Sequence, residues 1–404
     1  MNFSLHSPLQ CKLTPILVYI CACNVNYFTT IMRIGTKVKQ TDGYSAFIPD
    51  FFPPVELLSF SNAILTKAAT AERLIGKLDG IAHTLPDADF FISMYVIKDA
   101  TSSAQIEGTR ATMLDALKLS AGVNVKDTDA DDILHYIDAL NYGKNRLKEF
   151  PFSLRFIREL HKELMTGARS THFADPGEYR KSQNWIGGAT LKEAHFVPPP
   201  VNEMMTALSD LEKFIHNTEL MPVLQAGLIH SQFETIHPFL DGNGRTGRLL
   251  ITLFLYERAV LEKPVLFLSS YFKKHQRLYY DKLTAYHNNK PEEWLHFYLD
   301  GIIDTANESI ATSKKIAALK ESDMSKIQSL GKREADSGVK FLQSLYTNPL
   351  TSVSMAVKNL SFTRPGATKL IERFVSLEIL KPLDESVKYG KTYLYDKYLK
   401  IFNE

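Results

Sequence analysis

The segment HPFLDGNGRTGR, residues 237–248, constrains the fold more than any other stretch of the chain. Apolar residues precede it at helical spacing, and Pro238 disfavours helical geometry in the residue before it, so a helix should end at His237. Apolar residues follow it at the same spacing, so a second helix should begin near Gly244. The sequence therefore predicts two helices joined by the short loop 238–243.

The loop 238–243 has the composition of an anion-binding loop. The N–H groups at a helix N-terminus lack partners within the helix and, together with the helix dipole, favour a negative charge. Gly242 and Gly244 permit close backbone approach and unusual φ angles, and Asn243 tolerates left-handed geometry. The pattern predicts a cradle of backbone N–H groups for phosphates.

Charged side chains surround this loop. Arg245 and Arg248 are three positions apart on one helical face, so both can flank the same anion. Asp241 supplies a carboxylate of the kind that, with phosphate oxygens, binds Mg²⁺. His237 titrates near neutral pH and can take a proton from a hydroxyl.

Each of these features alone has an ordinary structural interpretation. A His at a helix end is usually a cap or a polar core residue, a Gly-x-Gly is usually a turn, and an Arg pair is usually solvated. Eight specified positions within the twelve residues of 237–248 make the combination hard to explain by structure alone. We therefore interpret the segment as a binding and catalytic loop.

Composition bounds the rest of the chain. Its 404 residues are 45% hydrophobic, enough for a large core in two or three units. The net charge is +2, so nucleic-acid binding would need a local basic patch. All three cysteines lie at or before Cys23, which predicts a cytoplasmic protein without disulfides in its body. The apolar run 16–23 is shorter than the roughly 20 residues that cross a bilayer, so we expect no membrane association.

The order of patterns along the chain predicts a mainly α protein. Helical spacing dominates from about 56 to 330, as at Ile157, Leu160 and Leu164 behind a predicted N-cap at Ser153. Residues 178–197 interrupt it with a hairpin-like insertion. The predicted units are an N-terminal extension at 1–44, a helical segment at 45–125, a core at 126–312, a linker or solvated helix at 313–335, and a C-terminal unit at 336–404. Residues 1–31 are interpreted as an extension from a misassigned start, with an export signal as the lesser alternative.

The C-terminal unit, 336–404, has the outline of a winged helix-turn-helix domain. Three short helical patterns are followed by two strands around a turn. A basic third helix and a basic wing are typical of DNA binding, and the alternative is a docking surface or support of a homodimer. The basic residues in question are Arg364, Lys369 and Arg373 on the helix and Lys388 and Lys391 on the wing.

The segment 237–248 resembles the signature H-x-F-x-[DE]-G-N-G-R-x-x-R of the Fic family. The matching residues are His237, Phe239, Asp241, Gly242, Asn243, Gly244, Arg245 and Arg248. The resemblance implies a helical core that transfers AMP from ATP to a protein hydroxyl. It also implies roles for these residues: His237 as general base, Asp241 as Mg²⁺ ligand, Phe239 as a buried anchor, 242–244 as the anion hole, and both arginines as triphosphate ligands. The branch of the family that transfers phosphate has Lys where this chain has Gly244, so AMP transfer is expected.

A second motif, SSAQIEGT at 102–109, reads as a short polar stretch ahead of a helix that begins near Thr109. By itself it is an ordinary helix-surface segment, with Ser103 and Glu107 one turn apart and Gly108 as a stop. Beside the Fic signature it resembles the family's inhibitory helix. The resemblance implies that Glu107 pairs with Arg248 and that Ser103 steadies the helix.

Two further sets of residues gain expected roles from the resemblance. The insertion at 178–197 resembles the flap that covers the Fic active site and aligns the target by strand addition, with Ile186, Gly187 and Gly188 over the nucleotide. The alternative is a plain surface hairpin. Tyr280 is expected near the adenine, where the family has an aromatic residue.

The expected function is thus a self-restrained, Mg²⁺- and ATP-dependent protein adenylyltransferase that modifies other proteins and itself. Two alternatives stay open. One is removal of AMP from modified proteins, with Glu107 orienting water. The other is a DNA-binding regulator whose Fic core senses nucleotide without transferring it.

Overall fold

The computed structural model describes residues 33–403 apart from 55–56, 58, 85–87, 124–128, 168–174, 264 and 388. The interpretation of 1–31 and the wing residue Lys388 therefore lie outside the described residues. Helices make up most of the described chain, and the strands form two small antiparallel sheets, so the mainly α prediction is confirmed. No helix in these ranges combines the length and the apolar character needed to cross a membrane.

The first part of the described chain contains a hairpin and four helices. Strands β1 and β2 pair antiparallel with Gly35 opposite Pro49, across the predicted boundary at residue 44. The hairpin therefore belongs to the fold, although 1–44 was expected to be an extension. The elements are β1 (Gly35–Lys39), β2 (Ser45–Pro49), α1 (Asn62–Thr84), α2 (Ala88–Ile106), α3 (Met113–Ser120) and α4 (Ala130–Arg146).

The segment 102–109 is placed differently from its prediction. Residues 102–106 form the last turn of α2, and Gly108, at φ +97°, follows that turn. The next helix, α3, begins at Met113 rather than near Thr109 because Thr112 and Asp115 form a capping box. The prediction of a helix start at Thr109 was wrong, since the capping signal lies three residues later.

The central part consists of helices packed around α7 (Pro222–Ile236) and α8 (Asn243–Glu257). Ser153 caps α5 by accepting a hydrogen bond from the Phe156 N–H, as predicted. Every residue of α7 from Val223 to Ile236 is buried, so this helix is the middle of the core. The helices are α5 (Leu154–Met165), α6 (Val201–Ile215), α7 (Pro222–Ile236), α8 (Asn243–Glu257), α9 (Ser269–Lys274), α10 (Gln276–His287) and α11 (Pro291–Gln328).

Two predicted segments differ in form from their patterns. The hairpin-like insertion at 178–197 is closed by a single bridge between Ile186 and Phe196 rather than by two regular strands. The polar stretch that begins at 313 continues α11 to Gln328, so it is helix and not a flexible linker. It is also partly buried, because Ile316 and Ile327 alternate with its charged residues and pack inward.

The C-terminal part contains the three helices and two strands that the sequence predicted, in that order, with one strand and one helix added. Helix, strand, helix, helix and two strands succeed one another, and the sheet order is β3-β5-β4. Asp323 on α11 anchors this part, since its buried carboxylate accepts hydrogen bonds from Tyr395 at 2.6 Å and Lys326 at 2.8 Å. The elements are α12 (Lys332–Thr347), β3 (Leu350–Ser352), α13 (Val353–Leu360), α14 (Arg364–Ser376), β4 (Lys381–Pro382), β5 (Thr392–Leu394) and α15 (Asp396–Asn403).

Candidate active site

The loop between α7 and α8 is the centre of the candidate site. His237 ends α7 in left-handed geometry, at φ 49° and ψ 60°, and Gly242 precedes α8 at φ 76°. The predicted helix end is confirmed, and α8 begins at Asn243, one residue before the predicted start. A Cβ at Gly242 would approach the Met165 sulfur to 2.6 Å, so glycine is required by space as well as by φ.

The loop is held from within and from α5. The Asn243 side chain spans the turn by accepting from the Phe239 N–H at 2.9 Å and donating to the Phe239 carbonyl at 2.8 Å. The Phe239 ring is buried and stacks on His161 at 3.7 Å. His161 Nδ1 accepts from the Gly177 N–H at 2.9 Å, so its Nε2–H donates to the Asp241 carbonyl at 3.0 Å. The loop geometry is therefore fixed before any ligand binds.

Two side chains that the sequence analysis did not single out hold His237 in place. The buried Arg180 donates from Nε to the His237 carbonyl at 3.0 Å and from Nη2 to the Pro199 carbonyl. Asn184 donates to the carbonyls of His237 and Phe239, at 3.2 and 2.9 Å. These bonds satisfy carbonyls that left-handed geometry removes from the helix. No local pattern marks either residue, because their bonds to the loop after α7 span more than fifty positions.

Arg248 joins α8 to the end of α2. Its Nε donates to Ser103 Oγ at 2.9 Å, and its Nη2 donates to the Ser103 carbonyl at 3.0 Å and to Glu107 Oε1 at 2.7 Å. The guanidinium is buried, whereas the Glu107 side chain is 41% exposed. The structure thus brings together Ser103, Glu107 and Arg248, and Gly108 follows them in the turn.

Gly244 makes room for the Glu107 carboxylate. A Cβ built at this position would overlap Glu107 Oε1 and would come within 2.9 Å of Arg248 Nη1. The carboxylate therefore lies over the first turn of α8, in the space that an anion bound to the helix N-terminus would fill.

Arg245 and Asp241 lie on the other side of the same helix start. The buried Arg245 has its Nη2 3.5 Å from the Met165 sulfur and 3.9 Å from Asp241 Oδ2, and its Nη1 3.7 Å from Asp132 Oδ1. The Asp241 side chain is 43% exposed, and its Oδ1 accepts from the Gly242 N–H at 2.6 Å. In the part of the chain that the structure describes, no group of three His, Cys, Asp or Glu side chains could hold a metal by itself. A cation here would need oxygen ligands from a substrate.

The His237 imidazole faces a buried carboxylate that the sequence analysis missed. Its Nδ1 lies 3.8 Å from Glu234 Oε2 and has no hydrogen-bond partner among the described residues. Burial lowers the pKa of His237 to about 4, which keeps the ring neutral at physiological pH. Burial raises the pKa of Glu234 to about 7, while Arg248 opposes that rise. The signal available in the sequence is the spacing, since Glu234 and His237 are three positions apart and so share one helical face.

The remaining predicted residues lie at the rim. Tyr280 on α10 is 44% exposed, whereas its neighbour Tyr279 is buried and shares a hydrogen bond with His230 at 2.9 Å. The flap residues Ile186, Gly187 and Gly188 follow Asn184 by two to four positions, so the segment that carries them is tied to the loop after α7. Both glycines adopt positive φ, at 68° and 76°.

The family model described as Fic/DOC family matches residues 151–255, and the one described as Fic/DOC family N-terminal matches 65–145. Over these two stretches the chain is similar to the Fic/DOC family. The first match contains the loop between α7 and α8, and the second contains the α2 end that holds Ser103. The partners in the contact with Arg248 therefore come from two regions that both match the family.

Known relatives of this chain carry the name protein adenylyltransferase Fic. The protein of that name from Aedes aegypti is 29% identical over 176 residues, which are 42% of this chain and 31% of that protein. The one from Drosophila virilis is 31% identical over 164 residues, 38% of this chain and 31% of that protein. The match thus spans less than a third of these relatives. A crystal structure of a Fic family protein from Desulfovibrio desulfuricans G20 has a TM-score of 0.55 and 20% identity, covering 83% of this chain and 97% of that one, and supports the fold.

The raised pKa of Glu234 predicts a pH-dependent stability difference. Between about pH 4.5 and about pH 7 the folded chain keeps a proton on Glu234 that the unfolded chain releases. The stabilisation from this proton is complete below that pH interval and is lost as the pH rises through it. Glu234→Gln cannot ionise. We expect the free energy of unfolding of this variant, minus that of the wild type, to increase by about 3 kcal/mol from the lower to the upper end of this pH interval.

Urea unfolding of both proteins at the two ends of this interval measures the difference, and Glu163→Gln, at an exposed position on α5, is the matched control. A difference between Glu234→Gln and the wild type that stays constant with pH would show that Glu234 titrates normally.

Proposed function

We propose that this chain transfers AMP from ATP to a hydroxyl side chain of a protein, itself included, and that Glu107 restrains the transfer. The observation that carries the proposal is the loop 238–242, which places a neutral His beside a helix N-terminus flanked by two buried arginines. The names of the relatives support the same activity. The cysteine distribution supports a cytoplasmic location.

The reaction uses His237 as the base. The hydroxyl oxygen of the target attacks the α-phosphorus of ATP, its proton passes to the imidazole, and the bond from the α-phosphorus to the bridging oxygen breaks as pyrophosphate leaves. A neutral imidazole can accept this proton, and burial keeps His237 neutral. Arg180 and Asn184 fix the backbone of His237, so the ring is oriented before the target arrives.

The triphosphate is bound by α8. The N–H groups of its first turn and the buried Arg245 and Arg248 provide the positive environment. Asp241 fits a Mg²⁺ ligand because its carboxylate is half-exposed beside the same turn, and Mg²⁺ bound there with phosphate oxygens would neutralise negative charge on the triphosphate. Tyr280, at the exposed rim, is the proposed contact for the adenine, and 186–188 would cover the nucleotide.

Restraint follows from the single guanidinium of Arg248. While Glu107 accepts from Nη2, that group is not available to the γ-phosphate, and the carboxylate repels an anion over Gly244. ATP can then bind only with its phosphates displaced, which misplaces the α-phosphorus. A displacement of about 1 Å at a reacting centre can lower the rate by about a hundredfold.

The first test is removal of the carboxylate. We expect Glu107→Gly to raise the rate of AMP transfer, to the protein itself and to added targets, by at least about tenfold, because Arg248 becomes free. Intact-mass analysis after incubation with ATP and Mg²⁺ measures the transfer. Arg110→Gly, at an exposed position in the same connection, is the matched control and should keep the wild-type rate.

The double variant of Glu107→Gly with Arg248→Ala should lose the gain, because the freed guanidinium is its cause. Equal rates for Glu107→Gly and wild type at saturating ATP would assign Glu107 to the helix surface.

The second test concerns the base. We expect His237→Ala in the Glu107→Gly background to lower AMP transfer by about a hundredfold or more while leaving ATP affinity nearly unchanged, since the ring acts on the nucleophile rather than on the phosphates. Calorimetry with ATP and intact-mass analysis separate the two effects. Transfer at the parent rate would contradict the role of His237.

Removal of AMP from a modified protein is a second candidate for the same site. The half-exposed Glu107 carboxylate, whose charge acts on His237, could orient a water molecule, so this candidate predicts loss of AMP from a labelled target in the wild type and its absence in Glu107→Gly. Both reactions are read from the same mass spectra.

A separate proposal concerns the C-terminal part, which we propose binds DNA. Arg364, Lys369 and Arg373 are exposed on α14, which supports it, but Glu334 on α12 lies 2.6 Å from Lys369 and 3.7 Å from Arg373. We expect weak, strongly salt-dependent retention on duplex DNA, weakened by Arg364→Ala and strengthened by Glu334→Gln, which frees two cations. Fluorescence anisotropy across a salt series measures this. Absence of binding at low salt would favour a docking or dimer surface.

A further inference from the structure

The side chain of Glu234 is a buried carboxylate to which the proposed reaction assigns no role. It lies on α7 one turn before His237, and its Oε1 has no hydrogen-bond partner among the described residues. Leaving a buried carboxylate oxygen without a hydrogen bond is costly. Gly247 on α8 leaves room for the carboxylate, since a Cβ at that position would lie 2.5 Å from Glu234 Oε1. The fold therefore leaves space for this carboxylate at a cost in stability.

The position of the carboxylate relates it to His237. Glu234 Oε2 lies 3.8 Å from Nδ1 of His237, the ring nitrogen without a partner, and the Glu234 carbonyl also favours the protonated ring. An imidazole whose Nδ1 faces acceptors carries its proton there, which leaves the Nε2 lone pair to receive another. We propose that Glu234 is a positioning residue that holds the Nδ1–H form of His237 and stabilises the imidazolium formed when Nε2 takes the proton of the target hydroxyl.

This inference rests on the proposed AMP transfer. In the proton-transfer step, the hydroxyl proton moves to Nε2, the Nδ1 proton stays, and the ring carries a positive charge opposite the carboxylate. No proton needs to reach Glu234. An opposite charge within about 4–6 Å favours the charged form of a titrating group by about one to three pKa units. Glu234 thus makes His237 a stronger base whenever its own carboxyl group is ionised.

The charges around Glu234 determine the pH at which its carboxyl group ionises. His230 and His237 face it from α7, Arg248 from α8, Tyr279 from α10, and Glu107 from the turn after α2. The two imidazoles are kept neutral by burial, so Arg248 is the charge that favours ionisation and Glu107 the one that opposes it. Removing Glu107 should therefore let Glu234 ionise at a lower pH. Glu107 would then restrain the transfer in two ways, by opposing the ionisation of Glu234 and by displacing the phosphates.

The test compares pH profiles of AMP transfer in the Glu107→Gly background. With Glu234 present, the rate should rise as the pH passes through its ionisation, near or somewhat below 7. Glu234→Gln should lack that rise and should be slower by about tenfold above it, with the KM for ATP unchanged. Glu234→Asp, which keeps the charge, should recover part of the rise. Asp323→Asn, a buried carboxylate remote from the site, is the matched control and should keep the parent profile.

A second measurement needs no turnover. The imidazole of His237, labelled with ¹³C and assigned by its loss in His237→Ala, is titrated by NMR in the wild type and in Glu234→Gln. We expect the ring signals of the wild type to move toward the Nδ1–H form as Glu234 ionises, near or somewhat below pH 7, and we expect Glu234→Gln to lack this change. Identical titrations, or an unchanged pH profile in an active Glu234→Gln variant, would overturn the inference. Altered titrations in a chain that never transfers AMP would instead overturn the proposed function and keep the coupling.

Discussion

The buried guanidinium of Arg248 is the charge on which the site depends. A buried cation without a partner is strongly destabilising, so this position needs hydrogen-bond acceptors, preferably with a negative charge. Ser103 supplies two acceptors and Glu107 the charge, and all three contacts come from the last turn of α2 and the residue that follows it. The same ion pair therefore connects the two regions of the fold and occupies the nucleotide site that we propose.

Features set by neighbouring residues could be predicted from the sequence. Pro238 and the glycines around Asn243 determine where α7 ends and α8 begins, and Ser153 marks the start of α5, because each acts within one turn of its own position. The predicted start of α3 was wrong because a six-residue connection, 107–112, separates α2 from the helix that Thr112 caps.

Features that depend on tertiary contacts could not be predicted in this way. Arg180 and Asn184 act on His237 from 57 and 53 positions away, and neither has a local pattern that distinguishes it from a surface residue. Glu234 is different, since its position one helical turn before His237 can be read from the sequence. Only the packing against Gly247 shows that it faces His237 rather than solvent. The resemblance to a family covers residues at the phosphate site better than it covers the residues that orient the base.

The missing side chain at Gly244 has a thermodynamic consequence. The Glu107 carboxylate occupies the space that a side chain at this position would fill, and a phosphate of bound ATP would need the same volume. Two occupants that exclude one another are linked reciprocally: an effector that releases the α2 end from α8 strengthens nucleotide binding, and the nucleotide strengthens binding of that effector by the same factor. A protein that docked on the exposed turn after α2 and favoured its release would thus act as a positive effector without touching the nucleotide, and the level of ATP would in turn set how tightly that protein binds.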